Sequence, residues 1–158
     1  MKRPWNLVNQ PVYSLATYLD GTVNMNICTY VTAVSMKPKQ YAIGVYYDTY
    51  TLERLEKGAN AVLQLLSIDH LMLIKKLGKT SGRKLDKTKW LKDRGLLGKW
   101  KEFTVLKDAC AFLELDYHSN YNTGGDHELF IYNIKSSSSK KDSGILHLQD
   151  LIDHQLIL

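Results

Sequence analysis

The sequence predicts a mainly β fold, namely an antiparallel barrel with short helical insertions. Three observations favour this class. About seven segments have strand patterns, the Asp20-Gly21 pair predicts a tight hairpin turn, and the two clearest helices are short. Those helices do not alternate regularly with the strands, which argues against a doubly wound parallel sheet.

In the first half of the chain, four segments have strand patterns. They are residues 12–19, 22–35, 41–47 and 60–66. The second segment alternates apolar and other side chains, which places its apolar residues on one face. Pro38 separates it from the third segment. Thr51 is the predicted N-cap of a short helix over residues 51–57, which Gly58 ends.

The second half contains one short helix, two strands and long polar connections. Asp69 caps an amphipathic stretch that Gly78 ends, so a short helix is predicted there. Residues 79–103 are predicted to be mostly loop, and the Ser/Lys-rich residues 136–144 an exposed loop. Strands are predicted over 109–117 and 127–135, with a turn at 124–126 between them. The last apolar stretch, residues 145–158, fits either a strand or a helix.

Length and composition indicate one globular domain over residues 1–158. Hydrophobic residues make up 44% and charged residues 23% of the chain, which excludes a disordered or collagen-like protein. No apolar run approaches the roughly 20 residues that span a bilayer, and no secretory signal is visible. Cys28 and Cys110 are far apart and form no CxxC pattern. We interpret them as reduced thiols and predict a cytoplasmic protein.

The basic residues are concentrated in one segment. The chain has a net charge of +5, and residues 75–101 contain eleven Lys and Arg against two Asp. The rest of the chain has an excess of acidic residues. A local positive field attracts phosphate, either of a nucleic acid or of a small cofactor. The alternative interpretation is a solvated lysine-rich surface.

Several common catalytic and metal-binding motifs are absent. Gly78-Lys79-Thr80 is not the end of a P-loop, because position 73, where the motif needs glycine, is leucine. Neither GxGxxG nor GxSxG occurs. The five histidines are scattered, so the sequence predicts no metal site.

Two short segments combine hydroxyls, cations and turns in a way that suits an anion. Residues 48–51 lie at a strand-to-helix junction, where free backbone amides and hydroxyls favour a phosphate. Residues 80–87 add two hydroxyls, Gly82 and three cations, and both Arg and Lys suit phosphate. Together the two segments could hold one terminal phosphate. The alternative interpretation is that Thr51 is only a helix cap.

Taken together, the segments of the chain resemble those of the flavin reductase-like family of FMN-binding split barrels. The resemblance covers roughly residues 11–135, and the order and spacing of its pieces carry it. The matching pieces are Asn24 to Ser35, Met36-Lys37-Pro38, Tyr41 to Tyr47, Ser81-Gly82-Arg83, Asp86-Lys87 and Gly124 to Phe130. The chain departs from the family at Lys37-Pro38-Lys39, where two prolines are usual, at Ile27 and Cys28, where Thr or Ser is common, and at Thr88.

The resemblance implies a role for each matching residue. The residues implied to line the flavin ring, largely through backbone groups, are Asn26, Ile27, Cys28 and Thr29. The residues implied to hold the ribityl chain and phosphate are Tyr47, Thr49, Thr51, Ser81, Arg83 and Lys87. His127 is implied to be the catalytic residue at the open face of the ring, where an electron donor docks; a turn-side hydrogen-bonding histidine is the alternative. The resemblance also implies a homodimer with flavin near the interface.

Three functions follow as hypotheses. The first is a flavoprotein with non-covalent FMN, or alternatively FAD, that acts as an NAD(P)H:flavin reductase. The second is an FMN-binding module without turnover, a carrier or a sensor, which the departures at Ile27 and Cys28 motivate. The third is a single-stranded nucleic-acid-binding barrel that uses residues 75–101, and the acidic excess elsewhere in the chain weakens it.

Overall fold

In the computed structural model, which describes residues 1–157, nine strands form two antiparallel sheets. The first five strands are β1 (Tyr13–Leu19), β2 (Thr22–Met25), β3 (Val31–Met36), β4 (Lys39–Tyr46) and β5 (Asn60–Leu65). The others are β6 (Leu97–Trp100), β7 (Phe103–Leu106), β8 (Ala111–Asn122) and β9 (His127–Ser139). The large sheet has the order β2-β1-β5-β8-β9-β4-β3, and β6 pairs with β7 in a separate hairpin. The predicted antiparallel, mainly β class is confirmed.

The residues between β2 and β3 join the two edges of the large sheet. We call residues 26–30 the crossing segment. On one side Cys28 pairs with Tyr13, the first residue of β1, and on the other side the amide of Gly44 in β4 donates to the carbonyl of Tyr30. One continuous stretch of chain therefore contacts both β1 and β4, and this closes the sheet into a barrel.

Within residues 1–157 there are four short α-helices, three between strands and one after β9. They are α1 (Tyr50–Glu56), α2 (Ile74–Lys79), α3 (Lys87–Lys92) and α4 (Leu148–Asp153). The N-cap of α1 is Thr49, whose hydroxyl accepts a hydrogen bond from the amide of Leu52, so the predicted cap at Thr51 is wrong. Thr51 lies two residues after the cap, within the first turn of the helix, and it is buried.

Three predicted segments differ in the structure. Residues 22–35 form two strands instead of one, because the chain bends through the crossing segment. Residues 79–103 contain α3 and β6, so they are not mostly loop; Asp86 caps α3 through a hydrogen bond from the amide of Lys89. Residues 136–139 continue β9 and pair with β8, so only residues after them form the exposed connection. The last apolar stretch contains α4, of which Leu151 is buried.

The core has two main apolar clusters, one on each side of β1. One cluster packs α2, α3 and α4 against β1 and β2 around Leu66, Leu77 and Leu91. The other lies inside the barrel around Leu15, Ile43 and Leu63. No helix within residues 1–157 is long and apolar enough to cross a membrane.

Candidate functional site

The crossing segment lines a recess of about 240 Å³ at the end of the barrel. We call it the small recess. Its walls are the crossing segment, the end of β4 and the first residue of β9. Of the sequence-predicted site residues, those that line it are Asn26, Ile27, Cys28, Thr29, Thr49 and His127. The structure therefore brings the predicted ring-contacting segment, one predicted phosphate residue and the predicted catalytic residue together.

The crossing segment is held in place by Asn26 and Cys28. The Asn26 side chain accepts from the Leu15 amide at 2.8 Å and donates to the Thr51 hydroxyl at 3.2 Å. The backbone of Cys28 exchanges two hydrogen bonds with Tyr13, at 2.9 and 2.8 Å. These contacts hold the crossing segment in place, and some of its backbone amides remain without an acceptor.

Of the five backbone amides in the crossing segment, only that of Cys28 donates to a protein group within residues 1–157. The amides without an acceptor belong to Asn26, Ile27, Thr29 and Tyr30. A backbone amide is a strong hydrogen-bond donor, and one without a protein acceptor is available to a ligand. The recess therefore offers several fixed donors to a planar ligand rich in acceptors.

The imidazole of His127 lies between two tyrosine rings. The Tyr30 ring centroid is 4.8 Å away and the Tyr46 centroid 5.3 Å away. The Nδ1 atom lies 2.6 Å from the carboxylate of Asp126. A Cβ at Gly44 would lie 3.2 Å from Cβ of Tyr30, so the absence of a side chain there lets Tyr30 approach the strand. These contacts fix the ring at the mouth of the recess.

The thiol of Cys28 has the properties of a packing group. Burial raises the pKa of Cys28 to about 12. A thiol with that pKa is protonated at neutral pH, and the thiolate is the nucleophilic form. Cys28 therefore contributes shape and an apolar surface to the recess, and no nucleophile.

A much larger cleft, of about 860 Å³, lies beside the small recess. We call it the basic cleft. Its walls are the β1–β2 hairpin, one side of α1, residues 82–88, and the β6–β7 hairpin. Its charged residues are Arg54, Arg83, Lys84, Lys87, Lys92, Lys99 and Asp86. Six cations against one carboxylate give the cleft a positive field that favours anions.

Arg83 connects the two cavities. Its guanidinium lies 2.5 Å from Glu53 and 3.5 Å from Asp48, which is the residue before the α1 cap Thr49. The arginine beside it lowers the pKa of Glu53. The Ser81 hydroxyl accepts from the Arg83 amide at 3.2 Å, so Ser81 shapes the loop that presents the arginine.

Lys87 is buried at the inner wall of the basic cleft. Its ammonium donates to the carbonyls of Met25 at 3.1 Å and of Leu77 at 2.7 Å. Burial lowers the pKa of Lys87 to about 8. Lys87 thus joins β2 to α2, and it adds positive charge to the cleft from within the fold.

Three predicted site residues line neither cavity. The Tyr47 hydroxyl donates to Glu128 at 2.7 Å, which raises the pKa of Tyr47 to about 12. Thr51 is buried and accepts from Asn26, and Ser81 supports Arg83. These residues support the site from behind its walls.

Sequence reasoning missed several residues of the two cavities. Tyr30 and Tyr46 beside His127 gave no local signal, because their proximity depends on the pairing of β4 with β9. Lys92 and Lys99 belong to the basic segment that the sequence did single out. No three His, Cys, Asp or Glu side chains within residues 1–157 lie close enough to hold a metal ion.

A closed antiparallel barrel with a recess at its end and an adjoining cationic cleft has the shape and charge that suit an anionic small molecule. The model of the flavin reductase like domain family matches residues 5–151. The chain therefore belongs to that family. No curated protein sequence matches the chain.

Solved structures of several proteins share the fold. An FMN-binding protein from Thermus thermophilus is 18% identical, with a TM-score of 0.76 over 90% of this chain and 78% of that one. The NADH:FAD oxidoreductase of Streptomyces globisporus C-1027 is 18% identical, with a TM-score of 0.79 over 92% and 84% of the two chains. The styrene monooxygenase flavin reductase from Pseudomonas putida S12 is 18% identical, with a TM-score of 0.75 over 90% and 88%. The fold is therefore that of the split barrels.

Proposed function

We propose that this protein binds a flavin non-covalently and passes electrons from NAD(P)H to it, as a flavin reductase. The observation that carries the proposal is the small recess, which is lined by Ile27, Thr29 and Tyr30, whose amides have no acceptor within residues 1–157. A flavin ring presents carbonyl oxygens and ring nitrogens that accept such hydrogen bonds. The donor set therefore fits the cofactor that the family suggests, which is FMN or FAD.

The residues around the recess have separate roles in this proposal. The crossing segment binds the ring plane through its backbone, and Thr49 lines the recess next to Asp48, which Arg83 contacts. Arg83 binds the phosphate, since a guanidinium forms short charge-assisted hydrogen bonds with phosphate oxygens. His127 lies at the mouth, where it orients the electron donor. The bound flavin supplies the hydride chemistry.

A homodimer is part of the proposal. β3 is at one end of the strand order, and Val34 and Met36 on it are exposed, as are Tyr30 and Tyr46 near the recess. An exposed apolar edge strand is suited to cover by a second copy of the chain. That arrangement would place the recess near the interface.

A cytoplasmic location stays a prediction.

The second candidate function is an FMN-binding module without turnover. Ile27 and Cys28 favour it, because the recess has an apolar side chain and a protonated thiol at positions where the family commonly has Ser or Thr. A nucleic-acid-binding barrel is less favoured, since five of the eleven cations of residues 75–101 line a concave cleft of ligand size.

The first experiment is a visible absorption spectrum of protein purified without added flavin, followed by titration with FMN and FAD. We expect a flavin spectrum or saturable binding. Steady-state NADH and NADPH oxidation with free flavin then separates the reductase from the module, which would show background rates only. A colourless protein that binds neither flavin would overturn both functions.

Arg83→Ala tests the phosphate assignment. We expect flavin affinity to fall by about tenfold or more, since a charged hydrogen-bond pair is lost. Riboflavin, which has no phosphate, should bind both proteins equally. The control is Arg94→Ala, which removes an equally charged residue that lies over Trp90, outside both cavities. An equal loss of flavin affinity in the two variants would contradict the assignment of Arg83 to the phosphate.

A further inference from the structure

A third cavity, of about 500 Å³, lies apart from the small recess and the basic cleft. We call it the aromatic pocket. Its walls are the C-terminal end of α1, residues 58–61, and the middle parts of β8 and β9. It shares no residue with the other two cavities, and none of its residues belongs to β3. The function proposed above leaves this cavity without a role, although its size suits a small organic molecule.

Three aromatic rings form one wall of the aromatic pocket. The rings of Phe130 and Tyr132 are stacked, with 5.8 Å between their centroids and 11° between their planes. The Tyr117 ring is edge-on to both, with its centroid at 6.5 and 6.3 Å from theirs. Tyr117 is exposed and Tyr132 is buried, so the wall extends from the surface into the fold. A ligand with an aromatic ring can pack against this wall.

The hydroxyl of Tyr132 is a buried polar group without a protein partner. Tyr132 is 4% exposed, and its hydroxyl forms no hydrogen bond with any group of residues 1–157. Every fully enclosed side-chain nitrogen or oxygen in that part of the chain does have a partner, so this hydroxyl must be open to the pocket. Burial raises the pKa of Tyr132, which keeps the hydroxyl neutral and able to donate or accept. A buried hydroxyl of this kind indicates a polar group on an occupant.

The charged residues of the aromatic pocket are both acidic. They are Glu56 and Asp116, and both are exposed, so they lie at its opening. Neither carboxylate has a Lys, Arg or His nitrogen within 4 Å among the described residues. The basic cleft has the opposite charge, as does the chain as a whole at +5. Two carboxylates beside aromatic rings favour a cation, because both attract positive charge.

The backbone of β8 is irregular where it lines the aromatic pocket. Its pairing with β9 shifts between Glu114 and Leu115, and again between Tyr117 and Ser119. Residues 115–117 lie between these two shifts, and all three line the pocket. In a regular strand Asp116 would face away from its two neighbours. The irregular pairing therefore brings a carboxylate and an aromatic ring from adjacent positions to the same cavity.

The three features of the aromatic pocket lie at different depths. The carboxylates are at the opening, the rings extend inwards, and the free hydroxyl of Tyr132 is buried. We propose that the aromatic pocket binds a small protonated amine whose aromatic ring carries a hydroxyl group. The ammonium lies at Glu56 and Asp116, and the hydroxyl forms a hydrogen bond with Tyr132. The site rests on this cavity alone and does not depend on the binding of a flavin.

Isothermal titration at pH 7 with three related compounds tests the proposal. Tyramine has the ammonium, the ring and the hydroxyl; phenethylamine lacks the hydroxyl, and tyrosol has a neutral hydroxyl in place of the ammonium. We expect saturable binding of tyramine, with a Kd about threefold to tenfold below that of phenethylamine and at least about threefold below that of tyrosol. Absence of saturable tyramine binding overturns the proposal. Displacement of tyramine by FMN or FAD also overturns it, since the amine would then lie in the small recess.

Tyr132→Phe tests the buried hydroxyl. The variant keeps the ring and removes a group without a protein partner, so its free energy of unfolding should not fall. Tyramine and phenethylamine should then bind equally. The control is Tyr18→Phe, which removes a hydroxyl that donates to the Thr104 carbonyl at 2.7 Å, outside the aromatic pocket. It should destabilise the fold and leave the preference for tyramine intact. A preference that persists in Tyr132→Phe contradicts the proposed contact.

Glu56→Gln/Asp116→Asn tests the opening of the pocket. Both residues are exposed, so the fold should tolerate the change, and tyramine should lose its advantage over tyrosol. The matched control is Glu102→Gln/Asp142→Asn, which removes the same charge from exposed positions outside the pocket. An equal loss of tyramine affinity in the two double variants would mean that only the net charge of the protein attracts the amine, and this would overturn the proposal.

Discussion

At the scale of single residues, Gly82 shows how closely the loop of the basic cleft packs. A Cβ at this position would lie 2.1 Å from the Asn24 side-chain oxygen and 2.7 Å from the Tyr50 ring. The loop that carries Arg83 can therefore approach α1 and β2 only because residue 82 has no side chain. The sequence predicted that Ser81-Gly82-Arg83 belongs to the site. It did not predict that Asn24 and Tyr50 leave no room for a side chain at residue 82.

Gly82→Ala should lower the free energy of unfolding by about 1–3 kcal/mol, since an added methyl group must displace Asn24 or Tyr50. Urea denaturation measures the change. Gly78→Ala is the control, because its Cβ would make an ordinary contact of 3.5 Å with Ile27 and its position in α2 favours alanine. If the two variants unfold alike, the close approach at Gly82 is not a constraint.

At the scale of elements, Glu114 links the β6–β7 hairpin to the large sheet. This buried carboxylate in β8 accepts from Lys101, which follows β6, and from Ser136 of β9. The hydrogen bond from Lys101, followed by that from Ser136, lowers the pKa of Glu114 to about 2. The carboxylate is therefore charged in the folded protein at pH values where an unfolded chain is already protonated.

This difference predicts a loss of stability in acid. The folded pKa lies below the ordinary value of 4.5, so the contribution is complete above about pH 5 and is lost as pH falls towards 2. Glu114→Gln should lower the free energy of unfolding by about 1–3 kcal/mol at pH 7. In this variant the free energy of unfolding should also depend less on pH in the acid range. Urea unfolding between pH 2 and 7 measures both effects. Glu102→Gln, an exposed change in the same hairpin, should behave as wild type.

The elements also show what the sequence could and could not predict. Strand-like composition predicted β1, β4, β5 and β9, and alternation of apolar and other residues predicted β8. It joined β2 to β3 because the crossing segment contains no Gly or Pro. The break there comes from tertiary pairing with Tyr13 and Gly44. The composition of the serine run at 136–139 predicts a loop. In the structure its backbone pairs with β8, because strand pairing uses backbone groups that every residue of the run has.

The site was predictable in part, through the resemblance to a family and not through strand patterns. Residues 26–29, Thr49 and His127 were expected near one another and lie together. Arg54 was not expected at all, because local sequence does not reveal that a helical arginine is buried under a hairpin. Its hydrogen-bond partners Thr17 and Thr22 lie more than 30 positions away along the chain.

At the scale of the whole molecule, the exposed apolar residues of β3 predict association. We expect light scattering after gel filtration to give twice the chain mass of 18.1 kDa. Val34→Glu/Met36→Glu should shift the protein to the monomer, because charges on an edge strand oppose pairing. Met72→Glu, at an exposed methionine away from β3, is the control. A wild-type protein of 18.1 kDa at micromolar concentration would contradict this.

The segment that closes the barrel is also the segment that lines the recess, and this couples binding to local unfolding. Because the amides of Ile27, Thr29 and Tyr30 have no acceptor within residues 1–157, the closure between β1 and β4 depends on few hydrogen bonds, and opening should begin there. A ligand at a hundred times its Kd adds about 2.7 kcal/mol to the folded state. Much of that protection should appear as slowed amide hydrogen exchange along residues 26–30. A ligand in the recess would then keep the barrel closed, and without it the crossing segment would detach more readily from β1 or β4.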